Sequence, residues 1–481
     1  MNPSGAANTY NTAVGADAGY SVTTGVNNTL IGGLAGDALT TAGNNVAIGY
    51  QAHSSDDLGS RNVSVGTEAL SDMNFATATD SYNVAVGDQA GKRVTTGIQN
   101  TLIGGLAGGA LTDADFNIAI GVSALSSDTK GSRSVAIGTY SLFSQNFTSA
   151  TDSYNTAVGY NTGNAITTAT NNTLIGGLAG DAITTGNANT LVGASSGTGL
   201  TVGGQNVAIG RNSLVADTQG SRAIAIGEGA LYNQNFTSAT NNYNIAIGYD
   251  AGLSVTTGEQ NTLIGGLAGD ALTVGTKNVV MGVGSLSTDT QGSKSTAVGS
   301  GTLALQNFTS ATDTFNTAVG FEAGNAITTG IQNTFVGGLC GDGTDDGDEN
   351  TAMGYMALSA NAGDSNTAIG RQAGLVVTGN NNTLLGKSAG VSLTSGSNNL
   401  FLGVNAGYTG GPGGNQTTGN NSIILGDQNI TDAYIQVDWT VASDERDKTD
   451  FTALDLGLDF VNALEPVTYK WDKRSNYGDG S

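Results

Sequence analysis

Few side chains in this chain could carry out conventional chemistry. Its only histidine is His53 and its only cysteine is Cys340. A Ser-His-Asp triad would have to use His53, which lies in the polar segment Gln-Ala-His-Ser-Ser and is expected in a turn. A single cysteine forms neither an internal disulfide nor a CxxC metal site. We therefore predict no cofactor and no conventional active site.

Recurrent aromatic residues are better candidates, and the function they suggest is binding. Four segments carry Asn-Phe followed by Ala-Thr or Thr-Ser, and a second aromatic residue comes seven positions after each Phe. Such a loop could stack on a sugar and hydrogen-bond it, or the Phe could fold back against the second aromatic and anchor the loop. The Phe residues are Phe75, Phe147, Phe236 and Phe308, and the second aromatics are Tyr82, Tyr154, Tyr243 and Phe315.

Two charge patterns accompany these segments. An acidic and a basic residue recur at one spacing, and we interpret them as ion pairs within turns or between chains. The acidic stretch 342–349 faintly resembles a calcium loop, but Met353 occupies the position of the bidentate Glu. We predict a solvated turn there and no metal site, with a weak divalent-ion site as the alternative. The recurring pairs are Asp56/Arg61, Asp128/Arg133, Asp217/Arg222 and Asp289/Lys294.

A pentapeptide repeat organises most of the chain. Its form is Asn-x-x-x-Gly with an apolar fourth residue, as in Asn45-Val-Ala-Ile-Gly49. Spacings of 17, 17, 17 and 21 residues make a super-repeat of 72, and one extra unit of 17 begins at Asn189. Ser134, Ala223, Ser295 and Ser422 replace the Asn in four units. The 24 units begin at residues 11, 28, 45, 62, 83, 100, 117, 134, 155, 172, 189, 206, 223, 244, 261, 278, 295, 316, 333, 350, 366, 382, 399 and 422.

A period of 17 residues is too short for a pair of packed helices. It fits an all-β coil, a parallel β-roll or β-solenoid of two short strands and two turns, in which each rung hydrogen-bonds to the next about 4.8 Å along the axis. No proline lies between Pro3 and Pro412, as such a ladder requires. Twenty-four rungs would make a shaft roughly 110 Å long.

Side-chain alternation predicts how the coil is covered. Val46 and Ile48 share one face of a strand and Ala47 the other, so both faces are apolar or small. One face fills the interior, and other copies of the chain in a homotrimer would cover the second. Cys340 occupies a slot that holds Ala in other rungs, so we predict a buried thiol.

The overall charge excludes several partners. The net charge is −23, which repels nucleic acid and anionic membrane surfaces. No apolar run approaches the roughly 18 residues that span a membrane, and the N-terminus has no signal-peptide pattern. We expect no nucleic-acid partner and no membrane insertion.

The repeat resembles a known family. Asn-Val-Ala-Ile-Gly (45–49), Ser-Val-Ala-Ile-Gly (134–138) and Asn-Ile-Ala-Ile-Gly (117–121 and 244–248) are similar to head repeats of YadA-like trimeric autotransporter adhesins. The resemblance implies a trimeric, left-handed parallel β-roll over 11–426, with surface turns taking up the longer rungs.

The C-terminus resembles a second family. Two segments, Ser443-Asp-Glu-Arg-Asp-Lys448 and residues 456–471, are similar in sequence to the start of the intramolecular chaperone of endosialidase-type phage tailspikes and tail fibres. That module trimerises its fibre and then cuts itself off. The resemblance implies that Ser443 is the nucleophile, that Lys448 activates it, and that the cut falls between Ser443 and Asp444.

The residues support a small α+β start to this module. Leu454, Leu458, Val461 and Leu464 recur at helical spacing, Pro466 closes the helix, and Val467, Tyr469 and Trp471 alternate as a strand. We therefore divide the chain into a leader (1–10), a repeat shaft (11–426), a transition (427–442) and a truncated chaperone domain (443–481).

Two functions follow as hypotheses. The first is a phage tail fibre, part of the virion, that contacts a glycan or protein receptor on the host surface. The alternative is a bacterial trimeric surface adhesin, which would require a membrane anchor. A glycan-cleaving tailspike would need paired carboxylates in a groove, and the repeat singles out no such pair.

Overall fold

The computed structural model of the protein describes residues 9–436, 458–465 and 467–468. The chain divides into two units, Met1–Asn429 and Ile430–Ser481. The first unit is a parallel β-solenoid whose 24 three-residue strands form one sheet. Each strand begins one residue after the start of a repeat unit, so the predicted rungs are confirmed.

The strands of the long sheet follow the repeat in chain order. They are β1 Thr12–Val14, β2 Thr29–Ile31, β3 Val46–Ile48, β5 Val63–Val65, β7 Val84–Val86, β8 Thr101–Ile103, β9 Ile118–Ile120, β11 Val135–Ile137, β13 Thr156–Val158, β14 Thr173–Ile175, β15 Thr190–Val192, β16 Val207–Ile209, β18 Ile224–Ile226, β20 Ile245–Ile247, β21 Thr262–Ile264, β22 Val279–Met281, β24 Thr296–Val298, β26 Thr317–Val319, β27 Thr334–Val336, β28 Thr351–Met353, β29 Thr367–Ile369, β30 Thr383–Leu385, β31 Leu400–Leu402 and β32 Ile423–Leu425.

A second regular strand is present only beside the long rungs, which are the 21-residue units that begin at residues 62, 134, 223 and 295. Eight two-residue strands form four parallel pairs there, and the other rungs turn without one among the described residues, so the expectation of two strands in every rung is corrected. The pairs are β4 Gly59–Ser60 with β6 Thr79–Asp80, β10 Gly131–Ser132 with β12 Thr151–Asp152, β17 Gly220–Ser221 with β19 Thr240–Asn241, and β23 Gly292–Ser293 with β25 Thr312–Asp313.

Neighbouring rungs stack in one register because the repeat keeps every strand in phase. In β2 and β3, Thr29 pairs with Val46 and Ile31 with Ile48. The middle residue of nearly every strand faces the interior, and Leu30 and Ala47 are both fully buried. The first and third residues face outward and stay partly or fully exposed, as the alternation predicted.

The glycine that ends each unit is required by close packing between rungs. Gly121 has a φ of +134°, a conformation that L side chains rarely adopt. A Cβ atom there would also lie 2.6 Å from the carbonyl oxygen of Gly138 in the next rung. Only a residue without a side chain lets the turns stack this closely, which explains the invariant last position of the repeat.

The asparagine that opens each unit forms a buried ladder along the solenoid. The Oδ1 atom of Asn261 accepts the backbone N–H of Asn278 at 3.0 Å, and its Nδ2 atom donates to the carbonyl of Gly275 at 2.9 Å. Both asparagines are fully buried. Because a buried peptide group without a partner is costly, the side chain of each rung pairs backbone groups that its three-residue strand leaves open.

At two of the four positions where the ladder residue is replaced, a residue of the long rung that follows supplies a substitute acceptor. Ala223 cannot accept a hydrogen bond, and the backbone N–H of Asn244 instead donates to Oδ1 of Asn242 at 2.9 Å. In the first super-repeat, Asn62 keeps this role and accepts from the Asn83 N–H at 3.0 Å. The Ala223 exception therefore has a local structural compensation. Beside Ser295, the hydroxyl of Thr314 accepts the Asn316 N–H in the same way at 3.4 Å.

The second unit is described only in part. Its helix, α1, covers Leu458–Asn462, so the predicted helix is confirmed over that range. The predicted strand at 467–471 lies mostly outside the described residues. No helix in the described parts of either unit combines the length and apolarity needed to cross a bilayer.

Candidate functional site

The loops of the long rungs are fixed to the interior by a buried aspartate. Oδ1 of Asp128 accepts the backbone N–H groups of Gly131 and Phe147, both at 3.0 Å. Asp217 and Asp289 make the same pair of contacts in their super-repeats. The prediction that these aspartates form ion pairs with the basic residue five positions on is wrong, because their carboxylates point into the core and hold the next loop.

The four phenylalanines of these loops are buried. Phe75, Phe147, Phe236 and Phe308 keep 5–7% of their surface exposed. This placement supports an anchoring role, although the second aromatic of each loop points outward and is not the anchor's partner. Receptor binding by these rings remains a prediction.

One more side chain completes each aspartate site, and its identity differs between super-repeats. Gln145 donates to Oδ2 of Asp128 at 2.6 Å and accepts from Asn155 at 2.9 Å. In the first super-repeat, Met73 stands in the Gln position, and His53, one rung earlier, contacts Asp56 at 3.1 Å. His53 in turn occupies a position that is a buried leucine in the other super-repeats. The side chain that hydrogen-bonds the aspartate therefore comes from a different position in the first super-repeat, and the Asp56 carboxylate still has a polar partner.

The environments of Asp56 and Asp217 shift the pKa of their carboxyls in opposite directions. Burial alone would raise the pKa of Asp56, but the hydrogen bond and charge of His53 together with backbone N–H groups outweigh it and lower the pKa. For Asp217, burial dominates over the hydrogen bonds from Gln234 and the backbone, and the pKa is raised. The contacts with His53 thus favour the charged form of Asp56, whereas burial favours the neutral form of Asp217.

His53 takes part in an arrangement that resembles a catalytic triad in composition. Its Nδ1 lies 3.4 Å from Oγ of Ser64, and its Nε2 lies 3.1 Å from Oδ2 of Asp56. All three side chains are fully buried. No substrate can reach Ser64, so the group holds the rung together. His53 lies in a turn, as predicted, but its side chain is buried in the interior.

The exposed surface of the loops carries a recurring group of one basic, one acidic or amide, and one aromatic side chain, here called the loop cassette. Nε of Arg61 donates to Asp80 at 2.9 Å, and its guanidinium lies 5.6 Å from the ring centre of Tyr82. The four cassettes are Arg61/Asp80/Tyr82, Arg133/Asp152/Tyr154, Arg222/Asn241/Tyr243 and Lys294/Asp313/Phe315.

The cassettes leave a usable binding surface. Their aromatic rings are about half exposed, from 49% for Tyr243 to 54% for Tyr154. An exposed ring beside a cation and a carboxylate, the combination in three of the four cassettes, can stack on the face of a sugar and hydrogen-bond its hydroxyls. In the cassette with Asn241, Arg222 donates to Gln205 and to the Tyr243 hydroxyl. The sequence carried a signal for this grouping, since an acidic or amide residue recurs two positions before each second aromatic.

Two other candidates have structural roles. Cys340 is fully buried, as predicted, and burial raises the pKa of its thiol to about 12. In the acidic stretch, Asp348 accepts the Ile331 N–H at 2.8 Å, and Asp345 hydrogen-bonds Thr328. No group of three or more potential ligand residues is close enough to hold a metal ion in the part of the chain that the structure describes.

The geometry defines a parallel β-solenoid protein whose loops carry the cassettes. A comparison with known protein families gives one match. A family model described as "chaperone of endosialidase" (Peptidase_S74) matches residues 443–480. The match covers Ser443 and Lys448, the predicted self-cleavage residues, which lie outside the described part of the structure. No curated protein matches the chain. A module of this family following a β-solenoid is typical of phage tail fibres and tailspikes.

Proposed function

We propose that the chain is the shaft of a phage tail fibre in the virion, which assembles as a parallel homotrimer and contacts a receptor, glycan or protein, on the host surface. The observation that carries the proposal is the chaperone-family match at 443–480, C-terminal to a solenoid of 24 rungs. The YadA-like repeat sequence would also fit a bacterial surface adhesin, but the match to a chaperone family typical of phage tail proteins favours a tail fibre of the virion.

The outer face of the long sheet supports the trimer. The third residue of all 24 strands is Val, Ile, Leu or Met, and none of these side chains is buried in the single chain. Exposures reach 58% at Val14 and 49% at Met353. Isolated soluble chains rarely expose a continuous apolar stripe of this length, because covering it with protein is favourable. Two further copies of the same face would cover it along the whole shaft.

There is a physical need for the C-terminal module in such an assembly. Three chains of nearly identical rungs can pair out of step by one rung at little cost, since repeated sequence specifies register weakly. A non-repetitive trimer formed first at one end would set the register before the shafts associate. The chaperone-family match at 443–480, C-terminal to the repeat, supports this part of the proposal.

The loop cassettes give the first test of the proposal. The purified protein should have three times the 47.9 kDa mass of one chain and should block phage adsorption to host cells. Changing the outward rings (Tyr82, Tyr154, Tyr243 and Phe315) to Asn should abolish blocking with little change in melting temperature, because Asn tolerates their positive φ.

The buried rings provide the matched comparison. Changing Phe147, Phe236 and Phe308 to Ala removes loop anchors and should cost on the order of 3 kcal/mol at each site. A folded monomer in native mass spectrometry would contradict the trimer. Full blocking by the outward-ring variant would show that the cassettes do not contact the receptor.

Self-cleavage gives the second test. A serine hydroxyl attacks a peptide bond only when a base takes its proton, and a lysine can act as that base if burial lowers its pKa. The full-length gene product should therefore be cut at Ser443 once it has trimerised, whereas Ser443→Ala and Lys448→Ala variants should stay whole. An uncut band for the wild-type protein in denaturing gels would reject this role.

A further inference from the structure

A surface cleft of about 380 Å³ lies on the outer turns of the rungs that begin at residues 83, 100, 117 and 134. Its lining includes Arg93, Gly109, Ser123, Ser126 and Phe143. It is separate from the loop cassettes and from the apolar stripe of the sheet. In a chain with a net charge of −23, a cleft lined by a free cation needs an explanation.

The repeat itself shows what normally occupies this place. The position of Gly109 is an aspartate in four equivalent rungs, and each of these carboxylates has a buried Oδ1 atom with no hydrogen-bond partner among the described residues. The residue 16 positions earlier, one rung below, is Ser or Ala in those four cases and Arg93 in the fifth. The four pairs are Ser21/Asp37, Ala165/Asp181, Ser254/Asp270 and Ala326/Asp342.

The one rung that has glycine (Gly109) in place of the aspartate is therefore also the one that has an arginine (Arg93), in place of Ser or Ala, one rung below. In the four other rungs the fold accommodates a carboxylate here without a cation, and burial raises the pKa of Asp37, Asp181 and Asp270. In the fifth rung, the cation is present and the carboxylate is missing. The backbone of Gly109 is not left-handed, so no conformational demand explains the glycine.

Arg93 is available to a ligand. It is exposed, and no hydrogen bond or ion pair engages its side chain within the described residues, whereas the adjacent Lys92 is paired with Glu68. A guanidinium binds a carboxylate through two parallel hydrogen bonds. Ser123 and Ser126 add hydroxyl groups on one side, and the ring of Phe143 adds an apolar wall.

We propose that this cleft binds an acidic sugar, with Arg93 holding the carboxylate, the two serines contacting ring hydroxyls and Phe143 packing against the sugar face. The inference rests on the proposed function for the origin of the sugar, a glycan of the host surface. The cleft itself is defined by residues of this chain alone. It differs from the loop cassettes in requiring a negatively charged ligand.

The test is calorimetric titration of the purified full chain with methyl glucuronide, methyl glucoside and inorganic phosphate. Methyl glucuronide should bind, and Arg93→Gln should weaken it about tenfold or more, as expected for a lost charged hydrogen bond. Gly109→Asp should weaken it as strongly, because the new carboxylate pairs with Arg93 and fills the cleft. The fold already carries aspartate at this place four times, so the melting temperature should not change.

Arg371→Gln is the matched control, since it removes an exposed arginine elsewhere on the solenoid and should leave binding intact. Equal binding of methyl glucoside, preference for phosphate over the glucuronide, or unchanged binding in Gly109→Asp would each overturn the proposal. A chain that blocks phage adsorption but binds no glucuronide would leave the proposed function standing and remove only this inference.

Discussion

Excision of one whole rung, residues 189–205, should leave a folded solenoid that is one rung shorter. Strands β14 and β16 both pair with β15 in the same register, Thr173 and Val207 each facing Thr190. The ladder closes as well, because Asn172 accepts the Asn189 N–H at 2.9 Å and Asn189 accepts the Asn206 N–H at 3.0 Å. After excision, Asn206 lies over Asn172 with the same partners.

The stability of a solenoid is approximately a sum over rungs and their interfaces, so this deletion should lower the melting temperature by only about 1–4 °C. Deleting eight residues, 189–196, removes β15 but leaves residues 197–205 without a complete rung. Leu200, buried in the intact protein, then loses its interior site. We expect a loss of roughly 2–5 kcal/mol from that side chain alone.

Thermal unfolding followed by circular dichroism compares the two deletions directly. Both variants lack β15, and they differ only in whether the remaining chain still consists of whole rungs. If the two deletions had equal melting temperatures, the stacked-rung architecture would be incompatible with the result.

The positions of the strands could be predicted because the repeat is a one-dimensional signal. Stacking requires a residue without a side chain at Gly121 and its equivalents, and an amide at Asn261 and its equivalents, so both recur at a readable spacing. Neither requirement depends on how the turns are oriented. The burial of Cys340 followed from the same alignment of rungs.

The loop chemistry could not be predicted in this way, because its contacts join residues one rung apart. Arg61 pairs with Asp80, 19 positions on, and not with Asp56, its near neighbour in sequence. The inward turn of Asp56 is set by the N–H groups of the following loop, which sequence spacing does not reveal. The polar segment around His53 correctly predicts a turn but not the burial of its side chain, although the alignment of His53 with buried leucines of other super-repeats indicates the interior.

A single break in the buried ladder should have a large effect on stability. Asn261→Ala leaves the Asn278 N–H and the Gly275 carbonyl without their side-chain partner. Each unpaired buried group costs about 1–3 kcal/mol, so we expect the free energy of unfolding to fall by about 2–6 kcal/mol. Asn233→Ala is the control, because Asn233 is exposed and no described side-chain hydrogen bond involves it.

The replaced ladder positions supply a rescue experiment for the same idea. Asn242→Ala should destabilise its long rung by removing the acceptor for the Asn244 N–H, although residue 223 is already alanine. Combining Ala223→Asn with Asn242→Ser recreates the Asn62/Ser81 arrangement of the first super-repeat and should restore stability. Urea unfolding of these variants measures both effects. If Asn261→Ala and Asn233→Ala were equally stable, the ladder would not be what holds the rungs together, and the conserved amide of the repeat would need another explanation.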